Sequence, residues 1–464
     1  MQQALSRYVG DRKFYRRLLS ITVPVMLQNG ITSFVSLLDN IMVGAVGTEQ
    51  MTGVSIVNQL LFVFNLCIFG GLSGAGIYTA QFFGKGDREG VRSTFRFKFW
   101  LALALVAVGL SVFLLKGHDL IALYLHEGGE SGDLLLTQGY ARDYLAMMLH
   151  GLFPFAFMQI YASTLRETGE TLLPMKAGIA AILVNLGLNY VLIFGHFGAP
   201  AMGCVGAALA TVISRYVEGL IIIVWSHTHK RQVPFMEGMY RTLRVPRWLC
   251  REIVVKGMPL LVNEAFWSSG VAALTQCYST YGLAVVAGLN IATTLNQLFS
   301  VIWMSMGTAV SILVGQQLGA NAFEEARQTV RRIMAFSITG SLAIALVVVV
   351  LAPLFPELYN TTQEVKDLAV AFLRIAVLAS PIASFANCSY FTLRSGGKTW
   401  ITMLFDSVYL WVIRLPLVRL IIRFTGWPIM VIYAISVFSD IMKCILGYVL
   451  LKRGTWVHNI VERD

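Results

Sequence analysis

Long apolar runs separated by short polar connections fill almost the whole chain. Twelve runs can cross a bilayer, because about 20 helical residues at roughly 1.5 Å each span a hydrocarbon core of ~30 Å. Backbone groups in lipid need partners within their own segment, so runs of this length predict helices rather than barrel strands. The chain is therefore predicted to be an all-α polytopic membrane protein with twelve transmembrane helices. The predicted limits are 18–43, 53–80, 97–115, 140–163, 172–195, 203–225, 253–278, 283–313, 333–355, 368–392, 399–422 and 429–451.

Basic residues alternate from one connection to the next. The chain ahead of the first run carries Arg12, Lys13, Arg16 and Arg17, and every second connection after it is basic in turn. Because Lys and Arg concentrate on the cytoplasmic side, both termini are predicted to be cytoplasmic, which requires an even number of spans. The net charge of +11 belongs to these connections. We therefore expect an integral protein of the cell membrane (inner or plasma membrane), in contact with lipid and not with nucleic acid.

An internal repeat divides the twelve runs into two sets of six. One set of aligned positions shares an offset of 235 residues (259 − 24 = 235): Pro24 with Pro259, Gln81 with Gln316, and Gly84 with Gly319. A Leu-Arg-x-x-Gly turn at Leu165 recurs at Leu393, an offset of 393 − 165 = 228. Both halves begin on the same side of the membrane, so the repeat is parallel and its axis lies along the membrane normal.

The repeat predicts the domain organisation. We expect an N-terminal six-helix lobe over 1–225, a basic cytoplasmic linker over 226–252 and a C-terminal six-helix lobe over 253–464. A central cleft between two such lobes suits a carrier that works by alternating access. A channel also arises by duplication, although channels are more often assembled around a pore by separate subunits.

Composition and missing motifs narrow the function classes further. Only 13% of the residues are charged, whereas soluble domains carry about 25%. The sequence contains no G-x-x-x-x-G-K-S/T loop, no H-E-x-x-H helix and no G-x-S-x-G turn. We therefore expect neither an enzyme nor a bound cofactor, and ATP is not expected to drive the protein directly.

The first run contains two residues that a simple membrane anchor would avoid. Asp39 is a carboxylate inside an apolar segment, where an ionised Asp costs several kcal/mol, about 2.5–3.5 on the lenient insertion scale. We interpret it as a proton- or cation-binding group that faces a water-filled cavity; a structural Asp held by neighbouring amides is the alternative. Pro24 removes a helical hydrogen bond and predicts a place where this helix bends.

Two amides and a hydroxyl are candidates to join Asp39. Asn185 and Asn189 are four residues apart and share one face of the fifth span. Their oxygens are hard ligands of the kind that Na⁺ requires, and Thr211 on the sixth span adds a hydroxyl. The predicted Na⁺ ligands are Asp39, Asn185 and Asn189. Polar groups that only hold the helices together are the alternative.

Two further acids lie in the second half. Glu264, near mid-depth in the seventh span, has no basic residue within a helical turn and is a candidate for proton exchange or for attracting a cationic substrate. Asp406 in the eleventh span is a candidate cation-binding group, but Arg414 lies eight residues on and offers a structural ion pair. Local neutralising pairs are predicted three residues apart: Arg215 with Glu218, and Asp440 with Lys443.

Seven polar or aromatic residues in the spans are candidates to line a substrate cleft, since each projects from an otherwise apolar run. They are Gln28, Asn58, Gln59, Asn65, Asn296, Gln297 and Trp303.

In combination, these motifs resemble the multidrug and toxic compound extrusion (MATE) family, and its NorM-like branch in particular. The resemblance covers essentially the whole chain, including the lobe repeat. It is carried by Pro24 and Asp39 in the first span, Val43-Gly44, Gln81-Phe82-Phe83-Gly84, Leu165-Arg166-x-x-Gly169 and the Asn185/Asn189 helix.

The resemblance implies a function. MATE members are antiporters that export organic, mostly cationic and amphipathic drugs in exchange for Na⁺ or H⁺, and a monomer is the expected state. It also implies a cation site built from Asp39, Asn185 and Asn189, and a functional Glu264. The NorM-like branch carries another acid on the tenth helix, which is absent from 368–392. This departure argues against a complete second cation site.

A flippase for lipid-linked sugars or oligosaccharides, from the same superfamily, is the main rival. Such proteins line their cleft with several basic residues to bind a pyrophosphate. Here the spans offer carboxylates instead, and Arg414, Arg419 and Arg423 cluster in one helix only.

Overall fold

The structure is a computed structural model that describes residues 8–124, 134–359 and 361–462. Within those ranges the ordered elements are helices, and no strand is formed. In chain order the main helices are α1 Arg12–Gly44, α2 Thr48–Lys85, α3 Arg88–Ala122, α4 Leu134–Leu149, α5 Leu152–Glu167, α6 Leu172–Phe194, α7 Gly203–Thr228, α8 Arg247–Ser279, α9 Leu283–Gly319, α10 Phe323–Leu351, α11 Gln363–Leu378, α12 Ser380–Ser395, α13 Thr399–Phe424 and α14 Ile429–Arg453. Single 3₁₀ turns occupy His196–Gly198, Pro234–Met236, Ala352–Leu354 and Pro356–Leu358.

Each predicted run coincides with one helix or with one bent pair of helices. Among the described residues, nine helices are long and apolar enough to cross a membrane, or eleven if each bent pair is one span. The remaining run, 253–278, lies within the 33-residue helix α8. The predicted fold class, an all-α membrane protein of twelve spans in two lobes, is confirmed.

The fourth and tenth spans are each broken into two helices. The α4–α5 bend is 47° and the α11–α12 bend is 48°. Pro381 stands in the first turn of α12, where a proline loses no helical bond but prevents α11 from continuing. Hydropathy alone predicted both spans as single helices, because a bend leaves the apolar run uninterrupted.

The helices form two compact units, and each unit is made of several separate segments of the chain. One unit contains Leu27–Thr79 and Arg88–Glu252, and the other contains Met1–Met26, Ala80–Asp87 and Ile253–Asp464. Helix α1 therefore passes from one unit to the other two residues beyond Pro24, while the helix itself continues to Gly44. The predicted lobe and linker limits, and bending at Pro24, stay predictions.

In the unit that contains Ile253–Asp464, α2 and α9 cross with their backbones in direct contact. A Cβ on Gly84 would overlap the carbonyl of Gln316, and a Cβ on Gly319 would overlap the carbonyl of Gln81. The two contacts are related by the 235-residue offset, which aligns Gly84 with Gly319 and Gln81 with Gln316. Only glycine permits such an approach at both positions, which explains why the repeat keeps the same residues in both halves.

In the unit that contains Arg88–Glu252, the linker is docked on α3. Arg92 Nε donates to Phe235 O at 3.1 Å, Arg96 Nε to Met239 O at 3.1 Å and Trp100 Nε1 to Leu243 O at 3.0 Å. The three donors are four residues apart and so share one face of α3. The linker is therefore an ordered part of this unit.

The glycine crossing can be tested by adding a methyl group. We expect Gly84→Ala to lower the free energy of unfolding by about 1–3 kcal/mol, because the carbonyl of Gln316 must move to admit the Cβ. Gly340→Ala is the matched control, since Gly340 lies in α10 with no atom within 4 Å of its Cβ position. Thermal unfolding in detergent measures both. Equal midpoints for the two variants would contradict the close crossing.

Candidate functional site

The four residues predicted for the amino-terminal cation site come together in the structure. Asn189 Nδ2 donates to Asp39 Oδ1 at 2.7 Å. In the amide orientation that satisfies both of its atoms, Asn185 donates to Asp39 Oδ1 at 3.2 Å and accepts from the Thr211 hydroxyl at 3.3 Å. Helices α1, α6 and α7 each supply part of this group. Asp39 is thus held by amides, and no basic side chain forms an ion pair with it among the described residues.

One oxygen of this group lacks a partner. Asn189 is 1% exposed, and its Oδ1 accepts no hydrogen bond from any described residue. Leaving a buried acceptor unsatisfied costs about 1–3 kcal/mol. A free amide oxygen beside a carboxylate is the donor set that a hard monovalent cation prefers. The residues present therefore fit a Na⁺ ion, and the carboxylate alone fits a proton.

Asp39 also opens onto a cavity of about 180 Å³. The wall includes three members of the cation cluster, Asp39, Asn185 and Thr211, and the predicted cleft residue Gln28. The rest of the lining is Thr32, Val35, Gly178, Ala181, Ile182, Ser214, Arg215 and Glu218. A space of this size admits several waters, at about 30 Å³ each, so a cation at Asp39 need not be sealed in protein.

The predicted ion pair between Arg215 and Glu218 is not formed. Arg215 donates to Gly151 O at 3.2 Å and lies over the ring of Phe155, 4.9 Å from its centroid. The two charges face the same cavity, but no ion pair joins these two described side chains. The three-residue spacing allowed the pair, but the guanidinium instead donates to the Gly151 carbonyl at the α4–α5 break, which also accepts from Phe155 N at 3.2 Å.

The predicted acids of the second half have different surroundings. Glu264 is half-buried and forms no hydrogen bond or ion pair with another described residue, while Arg394 and Asp406 act on it through space. Asp406 is held on both oxygens. Lys443 Nζ lies 2.7 Å from Oδ1, and Asn263 Nδ2 donates to Oδ2 at 3.2 Å.

The ion-pair partners predicted around Asp406 are wrong. Arg414 pairs with Asp440 at 3.3 Å, and Lys443 pairs with Asp406. The reason lies in α13, which contains π-helical turns over Leu404–Val408 and Leu410–Arg414. Positions eight apart already lie about 80° apart around a regular α-helix, and a π turn, which holds more residues, changes that angle again, so the spacing alone does not bring Arg414 to Asp406.

The predicted cleft residues are distributed over several places. Asn58 accepts a hydrogen bond from Tyr144 at 3.4 Å, and the side chains of Gln59 and Gln297 are exposed. Asn65 is half-buried. Asn296 and Trp303 line a second cavity of about 160 Å³, which Arg414 and Asp440 also border.

Two partners of Asp406, Asn263 and Lys443, were not predicted as such. Asn263 also accepts from the Ser407 hydroxyl at 2.6 Å. The signal was present in the repeat, since Asn263 is aligned with Gln28 (28 + 235 = 263) and Lys443 with Glu218 (218 + 225 = 443).

Comparison with known proteins decides the family. The MatE family model matches residues 24–191 and 259–420. The chain belongs to the MatE family. It is a NorM-like MATE transporter, as its sequence predicted, and the two matches begin at the repeat-related prolines Pro24 and Pro259.

Relatives of this MATE transporter match over nearly its whole length. It is 24% identical over 446 residues to the probable multidrug resistance protein NorM of Thermotoga maritima, covering 95% of this chain and 93% of that protein. It is 28% identical over 448 residues to the probable multidrug resistance protein YoeA of Bacillus subtilis, covering 94% and 93%. An outward-facing MATE transporter of the MOP superfamily superimposes with a TM-score of 0.84 at 19% identity, covering 97% of each chain. The fold is shared.

The cluster around Asp39 can be tested through Asn189. We expect Asn189→Ala to raise, at least fivefold, the Na⁺ or proton concentration that gives half-maximal thermal stabilisation. Both a hydrogen bond to Asp39 and the free amide oxygen are lost in this variant. Gln138→Ala is the control, because Gln138 is a half-buried amide in α4 that contacts His118 and lies outside the Asp39 cluster. Melting in detergent over a series of Na⁺ concentrations and pH values measures the effect. An unchanged midpoint concentration in Asn189→Ala would contradict a role for the amide.

Proposed function

We propose that this MATE transporter is a cation-coupled multidrug antiporter. It exports organic, mostly cationic and amphipathic compounds in exchange for Na⁺ or H⁺ by alternating access. The observation that carries the proposal is the Asp39 cluster: a carboxylate held by amides, beside a free amide oxygen, on the wall of a cavity. The names of the NorM and YoeA relatives as multidrug resistance proteins support the drug class.

The proposed exchange rests on two states with different affinities. A ligand shifts an equilibrium only by its differential affinity for the two states. Cation binding at Asp39 neutralises the carboxylate and satisfies Asn189 Oδ1, so it favours whichever arrangement of α1, α6 and α7 holds these oxygens together. If the drug favours the other arrangement, cation and drug weaken each other's binding by the same factor.

Pro24 gives α1 a place to respond. The proline leaves the carbonyl of Ser20 without its helical donor, and α1 changes unit two residues beyond it. Neutralisation of Asp39, about four turns along the same helix, then changes how stable the helix is on either side of the proline. Glu264 is a second carboxylate without an ion-pair partner in the described chain, and it is proposed as a proton-exchanging group or a contact for the cationic drug.

The proposal also covers the oligomeric state, the location and the partners of the protein. The protein works as a monomer in the cell membrane, with both termini in the cytoplasm and the drug and membrane lipid as its partners. No cofactor is required, because the energy comes from the cation gradient.

Drug efflux from vesicles separates the possible coupling ions. With Na⁺ and pH gradients imposed one at a time, we expect ethidium efflux to respond to at least one of them, and Asp39→Asn to reduce that response at least tenfold because a neutral amide can neither take up a proton nor offer a charged ligand. Glu264→Gln tests the second acid in the same assay.

Asp143→Asn, which removes an exposed acid of α4, is the matched control and should transport like the wild type. Full gradient-driven efflux by Asp39→Asn would remove the central role of this carboxylate. Efflux that ignores both gradients would remove cation coupling altogether.

A further inference from the structure

The repeat aligns three positions of one lobe with three of the other. Each set has one residue from the first helix of its lobe, one from the fifth span and one from the sixth. The aligned pairs are Gln28 with Asn263 at the offset of 235, Gly178 with Asp406 at 228 (406 − 178 = 228) and Glu218 with Lys443 at 225 (443 − 218 = 225). The last offset is smaller because the connection before α14, 425–428, is shorter than the one before α7, 195–202.

In the amino-terminal lobe these positions surround empty space. Gln28, Gly178 and Glu218 all line the 180 Å³ cavity onto which Asp39 opens. A Cβ on Gly178 would lie 3.0 Å from Gln28 Nε2 and 3.4 Å from Glu218 Oε1, so both side chains reach the glycine just as Asn263 and Lys443 reach Asp406.

In the carboxy-terminal lobe the same positions form a closed ion pair. The side chain of Asp406 takes the place of the missing side chain at Gly178, and Asn263 donates to it at 3.2 Å. Lys443 Nζ lies 2.7 Å from Asp406 Oδ1, with side-chain exposures of 13% and 21%. The ammonium also lies over the rings of Phe405 and Tyr409, at 5.6 and 5.5 Å from their centroids.

A carboxylate with aromatic faces above it is a favourable environment for a monovalent cation. Here the cation is part of the chain. The neighbouring pair of Arg414 and Asp440, 3.3 Å apart, is also neutral. The two ion pairs together carry no net charge that would attract a mobile cation. Glu264 and Arg394 are the other charged side chains that act on this region through space.

We propose that Lys443 is a built-in counter-cation that keeps the coupling ion away from Asp406. It is a specificity-determining residue, because its ammonium occupies the place that a cation would take at Asp406. It thereby limits the number of ions moved per transport cycle. This inference rests on the proposed cation-coupled function. It predicts that the position becomes a cation site once the ammonium is removed.

The experiment counts cations bound by the purified full-length protein in detergent. All Lys443 variants are made on the Asp39→Asn background, so that the amino-terminal site does not contribute. The probes are ²²Na⁺ retained at fixed pH and protons taken up or released across pH 5–8. We expect Lys443→Met to bind about one cation, Na⁺ or H⁺, more than the background protein. Lys443→Arg, which keeps the charge, and Lys443→Met with Asp406→Asn should gain none.

Two results would overturn the proposal. One is a folded Lys443→Met variant, eluting as a single peak like the background protein, that gains no cation. The other uses no Lys443 variant: Asp406→Asn in the otherwise wild-type protein should leave the number of bound cations unchanged, and the loss of one would show that Asp406 binds ions while Lys443 is present.

Failure of the proposed function has a different signature. If the wild type and Asp39→Asn bind the same number of cations, coupling at Asp39 fails. The comparison of Lys443→Met with Lys443→Arg still decides the role of Lys443.

Discussion

A carboxylate inside a membrane protein must be compensated, because an uncompensated charge in hydrocarbon costs several kcal/mol. This chain compensates its acids in two ways. Asp39 receives hydrogen bonds from the amides of Asn189 and Asn185, which stabilise the charge without cancelling it. Asp406 receives the ammonium of Lys443, which cancels it. We propose that the first arrangement leaves a site that an ion can enter and leave, whereas the second is already filled by the ammonium.

The contrast is informative because both arrangements stand on the same repeated backbone. Gene duplication gives two copies of a scaffold, and the side chains then decide which copy carries chemistry. Glycine at 178 leaves a cavity in one lobe, while aspartate at 406 and lysine at 443 fill the aligned place in the other. By contrast Gly84 and Gly319 have stayed the same, since each must let a backbone carbonyl approach. Packing constraints preserve a repeat, and function makes its halves differ.

Much of the fold was predictable from the sequence because the bilayer imposes a strong pattern on it. The span limits followed from the lengths of the apolar runs, and the gathering of Asn185 and Asn189 on one face of α6 followed from their spacing. The bends between α4 and α5 and between α11 and α12 were not predictable from hydropathy, which does not change at a break.

The side-chain pairings were harder still. Assigning Arg414 to Asp406 assumed an α-helical phase that the π turns of α13 remove. Docking of the linker on α3 depends on carbonyl positions that no sequence pattern reports. The repeat, used residue by residue, was the one signal that pointed to Asn263 and Lys443.

The central claim is that the charge on Asp39 links the cation to the drug. The most direct measurement is the dissociation constant of a fluorescent cationic drug for the purified protein, taken over a range of Na⁺ concentrations and pH values. The account predicts that drug affinity falls as the coupling cation rises in the wild type, and that Asp39→Asn loses this dependence. An Asp39→Asn protein whose drug affinity follows the cation as steeply as the wild type would contradict it.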